Sequence, residues 1–428
     1  MTTAISDFTK LMRDLGDPDT LRTGEGPAIR PRVNAHVHLP PNFSAFATAR
    51  QAVELADAQG VGILGASNYY DYSVYGELAE RATARGIFPL FGLEIIALVE
   101  GLVRDGVKVN DPGNPGKYYL CGKAITRFDP MPEKACALLQ VIRDADSARM
   151  AAVADRLAHV FAGAGLETGL DAEAIKDRIV ARHGSPRATV YLQERHVAQA
   201  FQEVLFDKVA EGERAAFLQR LYGIAPKAKL DDAVGTQNEI RSQLLKSGKP
   251  AYVPETFVDF DHAHRLVLAL GGIPCYPTLA DGAAPITEYE TSPDALIADL
   301  QARAIACAEF VPNRNTPEVL SRYVHAMRRA GLFVTAGTEH NTLDLLPLAP
   351  TCLGGALIPK DVQDIFWEGA CVLAAHQYLT LLGQPGFVDG AGLPDPSYPT
   401  ADARIEAYRT LGAAVLARYE EVTRKPGD

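Results

Sequence analysis

A chain of 428 residues with 47% hydrophobic and 22% charged side chains, 36 glycines and 28 prolines has the composition of a globular protein, which excludes disordered, fibrous and disulfide-stapled classes. The length suits two or three domains, or one large α/β barrel carrying an insertion. A net charge of −11 argues against nucleic acid and anionic membrane as partners, so an anionic small molecule would have to be held by a local group of cations.

Short apolar runs alternate with segments of helical spacing. Seven runs stand out: Val33–His38, Gly62–Ser67, Phe88–Ile95, Tyr118–Ile125, Gly272–Pro277, Ile305–Val311 and Leu332–Thr338. Most are followed by a helix-like stretch, the pattern of βα units around a parallel sheet. Between the fourth and fifth runs the rhythm breaks into amphipathic helices, Cys136–Ala145, Ser147–Gly163, Asp171–Arg182, Leu192–Ala210, Arg214–Tyr222 and Thr236–Ser247, with no convincing strand. The expected fold class is α/β, a TIM-like barrel with an all-helical insertion, ending in helices Asp361–Leu382 and Ala401–Thr423. Residues 1–133 are expected to supply barrel strands 1–4, residues 134–250 the insertion, and residues 251–428 strands 5–7 with the C-terminal helices. The six cysteines, at 121, 136, 275, 307, 352 and 371, include no C-x-x-C pair and read as reduced, mostly buried thiols. An opening rich in polar residues and the lack of an 18-residue apolar stretch predict a cytoplasmic location.

Chemistry in such a barrel gathers at the C-terminal ends of the strands. The first run ends in Asn34-Ala35-His36-Val37-His38. Residues two apart on a strand share a face, so both imidazoles can reach one point. A bare H-x-H also arises by chance, and its place at a strand end is what favours metal binding. The third run carries Glu94 inside an apolar segment, where a buried carboxylate needs a cation, a metal or strong hydrogen bonds. The seventh ends in Gly337-Thr338-Glu339-His340-Asn341. Together His36, His38, Glu94 and Glu339 make a first shell of two nitrogens and two carboxylates, suited to one divalent ion such as Zn²⁺, Mn²⁺ or Fe²⁺. A second H-x-H, His262 and His264, sits at a helix start, where residues two apart face away from each other.

These motifs resemble the PHP (polymerase and histidinol phosphatase) family of the amidohydrolase-like group. The likeness includes H-x-H after strand one, Gly92-Leu93-Glu94-Ile95 after strand three and Gly337-Thr338-Glu339-His340 after the last strand. It extends through Ile63–Asp71, Gly271–Pro277 and Ala308–Asn315, and Thr189–Phe201 is similar to an Arg-x-His-x-Ala helix in the insertion of some members. The resemblance implies a distorted (β/α)7 barrel and metal-dependent phosphoester hydrolysis. It also implies that two metal-binding histidines are replaced here by Tyr69, within Ser67-Asn68-Tyr69, and Tyr276, within Cys275-Tyr276-Pro277, and a third by Asn341. Residues matching the family's first metal position are all present, so one metal is expected rather than three.

One open-coordinated ion can activate water or polarise a carbonyl or phosphoryl oxygen. The expected activity is a metal-dependent hydrolase acting on a small polar or anionic substrate. A sugar-acid isomerase or lyase on the same barrel, or an inactive metal- or ligand-binding barrel, are the alternatives. His340, Tyr276, Tyr69 and Asn68 are the candidate catalytic residues, although each tyrosine could equally be a packing aromatic. Arg314, Lys123, Arg195 and Asn341 are the candidates for holding substrate, the first two because each follows a strand and Arg195 because its helix would overhang the mouth. The turn from Asp111 to Lys117 could cover a ligand or be a plain surface connection, the second being preferred. A small molecule is the expected partner, with no nucleic acid and no membrane; a homo-oligomer is compatible with the sequence.

Overall fold

The computed structural model describes residues 3–423. All seven apolar runs fall on strands: β1 (Arg32–Val37), β2 (Val61–Asn68), β3 (Phe88–Leu98) and β4 (Lys117–Lys123), then, after a two-residue strand β5 (Val258–Asp259), β6 (Ile273–Thr278), β7 (Cys307–Phe310) and β8 (Phe333–Ala336). They form one barrel-shaped sheet in the order β1-β2-β3-β4-β6-β7-β8, with β5 beside the end of β3. A parallel bridge between Val37 and Glu339, with the His38 N–H donating to the Glu339 carbonyl at 2.8 Å, brings the first and last strands together. Strands buried on both faces read as continuous apolar runs, which is why they were visible.

One strand departs from the expected parallel arrangement. β4 runs antiparallel to both β3 and β6. The chain leaves β3 through the short helix Glu100–Arg104 and the turn around Asp111–Gly116, and returns directly instead of crossing over the barrel. The start of β4 therefore lies at the mouth and its end lies deep in the barrel.

The insertion is helical, as its spacing predicts, but its first two expected helices are one, Glu133–Gly163. The rest are Ala172–His183, Glu194–Lys208, Glu211–Tyr222 and Ala233–Ile240, the last continuing as a π-helical turn, Arg241–Leu245. The long helix serves two cores. Ala135, Leu139 and Ile142 pack with the barrel, whereas residues from Met150 onward join Phe161, Phe201 and Phe217 in a separate apolar cluster running to Ala251. The C-terminal helices are Lys360–Leu381 and Ala401–Thr423. Among the described residues no helix is long and apolar enough to cross a membrane.

Candidate metal centre

Alternation along β1 turns His36 inward, and His38, just past the strand's end, keeps the same face. Glu94 enters from β3, paired in register with Cys121 of β4. His36 Nε2 and His38 Nε2 are 3.4 Å apart, and Glu94 Oε2 lies 3.4 Å from the first and 3.1 Å from the second. Bond lengths of about 2.0–2.2 Å place two ligands of a tetrahedral ion about 3.4 Å apart, so this triangle has the dimensions of one face of a coordination shell. Glu94 Oε2 is buried, and among the described residues the two imidazole nitrogens are what it faces. Burial would raise the Glu94 pKa, but hydrogen bonding from His36 and His38 holds it well below the usual carboxylate range. These residues fit a divalent cation.

The support behind His36 was not foreseen from the sequence. Its Nδ1 meets Glu309 Oε2 at 2.6 Å, which leaves Nε2 facing the triangle, the carboxylate–histidine arrangement common behind metal ligands. Glu309 is held in turn by Lys123 Nζ, also at 2.6 Å. Burial and Lys123 oppose charge on His36, yet Glu309 outweighs them and raises its pKa well above the ordinary value. His36, Cys121 and Glu309 also form a ligand-capable group. There the ammonium of Lys123 is already present, and burial pushes the Cys121 thiol up to about 12, which keeps it protonated. Behind His38, the Asn42 amide nitrogen lies 3.2 Å from Nδ1. A metal on Nε2 would require a proton on Nδ1, and therefore an Asn42 amide turned to present its oxygen, at the expense of the bond that Asn42 Oδ1 accepts from the Tyr69 N–H at 3.1 Å.

Glu94 is also part of the wall of a cavity of about 370 Å³ between the barrel mouth and the insertion, together with Tyr69, Arg195, Arg314, Glu339 and Asn341. The Tyr69 ring stacks on His38 with centroids 5.2 Å apart and planes 2° from parallel, and its hydroxyl has no hydrogen bond among the described residues. Glu339, expected as the fourth ligand, is not brought into the triangle. Both its oxygens are taken by Arg314, one at 2.9 Å, and Asn341 Nδ2 donates to it at 2.6 Å. Glu339 and His340 both have left-handed backbone, φ 59° and 53°, a conformation costing a residue with a side chain about 1–2 kcal/mol. Gly337 permits the approach of this segment to β1, since a Cβ there would lie 2.3 Å from that of His36.

Four expected site residues are placed elsewhere. Lys123 lies at the inner end of the reversed strand β4, 1% exposed and committed to Glu309, so it cannot orient substrate at the mouth. Tyr276 falls on the outer face of β6, because the inward positions are Cys275 and Pro277; its hydroxyl donates to Glu290 at 2.7 Å among Tyr118 and Tyr289. His340 stacks on Phe46 and uses both nitrogens, one with Thr338 and the other with the Leu346 carbonyl, each at 2.8 Å. Asn68 bonds the backbone of Leu39 with both ends of its amide, fixing the loop after β1. His262 and His264 sit on helix Phe260–Ala269, and His262 Nε2 is satisfied by the Leu138 carbonyl at 2.8 Å.

The reversal that removes Lys123 brings in Lys117 and Tyr119, which share its inward face and line the cavity. Period two from Lys123 would have found both, had the direction of β4 been known. The Asp111–Lys117 turn also reaches the cavity, through Asp111, Pro112 and Lys117, rather than serving only as a surface connection.

The barrel has solved counterparts. A protein from Bifidobacterium adolescentis, provisionally described as a metal-dependent phosphoesterase, superimposes with a TM-score of 0.50 over 79% of this chain and 97% of its own, at 17% identity. An amidohydrolase from Chromobacterium violaceum, solved with sulfate and no metal, covers 78% of this chain and 96% of its own with a TM-score of 0.49 at 18% identity. At these identities the likeness is one of fold. No family model and no curated protein sequence matches the chain.

Proposed function

We propose that this chain is a metal-dependent hydrolase of the PHP type that holds one divalent ion with His36, His38 and Glu94. The observation that carries the reading is the buried triangle of two imidazole nitrogens and one carboxylate oxygen, 3.1–3.4 Å on each side, at the wall of a cavity. Held by these three residues, a divalent ion would supply Lewis-acid chemistry: a pKa of water lowered towards about 7, or a polarised carbonyl or phosphoryl oxygen.

The chain's own groups supply the rest. Arg314, fixed by Glu339, presents a guanidinium to an anionic oxygen of the substrate. Tyr69, stacked on His38 in the cavity wall, offers its hydroxyl as a donor to charge that develops on the reacting group. Asp146, another wall residue, has its pKa raised to about 6 by burial and accepts from the Tyr70 hydroxyl at 2.7 Å. The phosphoesterase description of the B. adolescentis barrel agrees in kind with this reading.

The test is a panel of phosphoesters, lactones, amides and uronates offered to metal-loaded and chelator-stripped protein. Hydrolysis that requires metal and is lost in Glu94→Gln supports the proposal. Isomerised uronates without hydrolysis, or turnover unaffected by the chelator, would overturn it.

A further inference from the structure

The insertion's share of the cavity wall is unbalanced in charge. Arg149, Arg195, Arg241 and Lys246 line it from this side, against the carboxylates of Asp146 and Glu194. Glu194 alone faces three of the cations, with Arg149 at 3.1 Å, Lys246 at 2.9 Å and Arg241 at 3.7 Å. Asp146 accepts instead from the Tyr70 hydroxyl at 2.7 Å. Arg241 Nε is buried without a hydrogen bond, and Arg195 makes neither hydrogen bond nor ion pair among the described residues. Arg195 also feels Arg241 directly: burial first, and then that like charge, lower its pKa to about 10. Arg241 opens the π-helical turn and Lys246 follows it, and π turns are rare and concentrate at functional sites. One carboxylate, Glu194, is thus shared among three cations with Arg195 beside them, an arrangement that a bound anion would complete.

We infer that Arg195, Arg241 and Lys246 form a subsite for a second anionic group of the substrate, a dianionic phosphate ester distinct from the group at the metal triangle. The inference rests on the hydrolase reading in taking this ligand to be part of the substrate. The barrel side, with Glu94 and the Arg314–Glu339 pair, and the insertion side, with Arg195, Arg241 and Lys246, would then hold the two ends of one molecule, in a cavity within the usual size for small ligands of roughly 300–1,000 Å³.

Inorganic phosphate is the probe, titrated calorimetrically at low ionic strength into the full chain and into Arg195→Gln, Arg241→Gln and His36→Ala. The expected result is equal binding by the parent and His36→Ala, at least tenfold weaker binding by both arginine variants, competition by sulfate and none by acetate. Arg195→Gln should melt no lower than the parent without phosphate, because one unpaired like charge has gone, so its lost binding is not lost folding. Unchanged phosphate affinity in the arginine variants, binding no stronger than that of acetate, or loss in His36→Ala would overturn the subsite. Should the chain bind no metal while phosphate still depends on Arg195 and Arg241, the hydrolase reading falls and the anion site remains.

Discussion

Glu309 links His36 to Lys123, and none of the three side chains is more than 2% exposed. Changing it to glutamine leaves a buried ammonium without its counter-charge, at a cost of about 3–5 kcal/mol. The same change removes the carboxylate that fixes the His36 tautomer, which should weaken metal affinity about 10–100-fold. Thermal melts read the first effect and competition with a zinc-binding dye the second; a Glu309→Gln protein matching its parent in both would contradict the account. Asp146 makes a pH prediction. Its raised folded pKa, about 6, means the folded chain holds this proton more tightly than the unfolded chain does. The associated stability is complete below about pH 4 and is lost as pH rises through about 6. Asp146→Asn, which stays neutral, should therefore gain on the parent by up to about 3 kcal/mol between about pH 4 and pH 7.5. A stability difference independent of pH would refute the burial-raised pKa. The sequence revealed His36, His38 and Glu94 because the pleat and the cost of burying charge constrain them locally. It was silent about Glu309, because an acid in an apolar strand does not disclose which cation it meets.

Strand direction and pleat decide which side chains of an element reach the cavity. Apolar runs buried on both faces reveal that a strand exists but not which way it runs, since direction is set by the connection. That is why β4 was legible and its reversal was not, and why Lys123 was expected at the mouth where Lys117 stands. The same reasoning separates the two tyrosines. Tyr276→Phe removes a donor from the buried carboxylate of Glu290 on the outer side of the sheet, so it should cost about 1–3 kcal/mol of stability and leave turnover unchanged. Tyr69→Phe removes only a cavity-facing hydroxyl, so it should leave the melting temperature unchanged and lower kcat by about tenfold to a hundredfold. Melts and steady-state rates on the two variants decide the matter, and the opposite pattern would put Tyr276 in the site.

At the scale of the whole molecule, two apolar clusters share the helix Glu133–Gly163, one under the barrel and one within the insertion. Phe161 is fully buried in the second, against Phe201 at 5.0 Å and Phe217 at 6.0 Å. Phe161→Ala should destabilise the insertion by about 3–5 kcal/mol, raise amide exchange there and weaken phosphate binding, while metal affinity at the barrel stays within about twofold; equal loss of both would show that the two parts act as one. The periodicity of the sequence gave away both layers, but not the cavity between them, because its wall is assembled from side chains far apart in the chain. Metal content tests the central claim most directly. Protein purified without chelator should carry one divalent ion per chain by elemental analysis, with none retained in His36→Ala and full occupancy in His262→Ala. No bound ion in the parent, or equal occupancy in the two histidine variants, would contradict a metal centre at His36, His38 and Glu94.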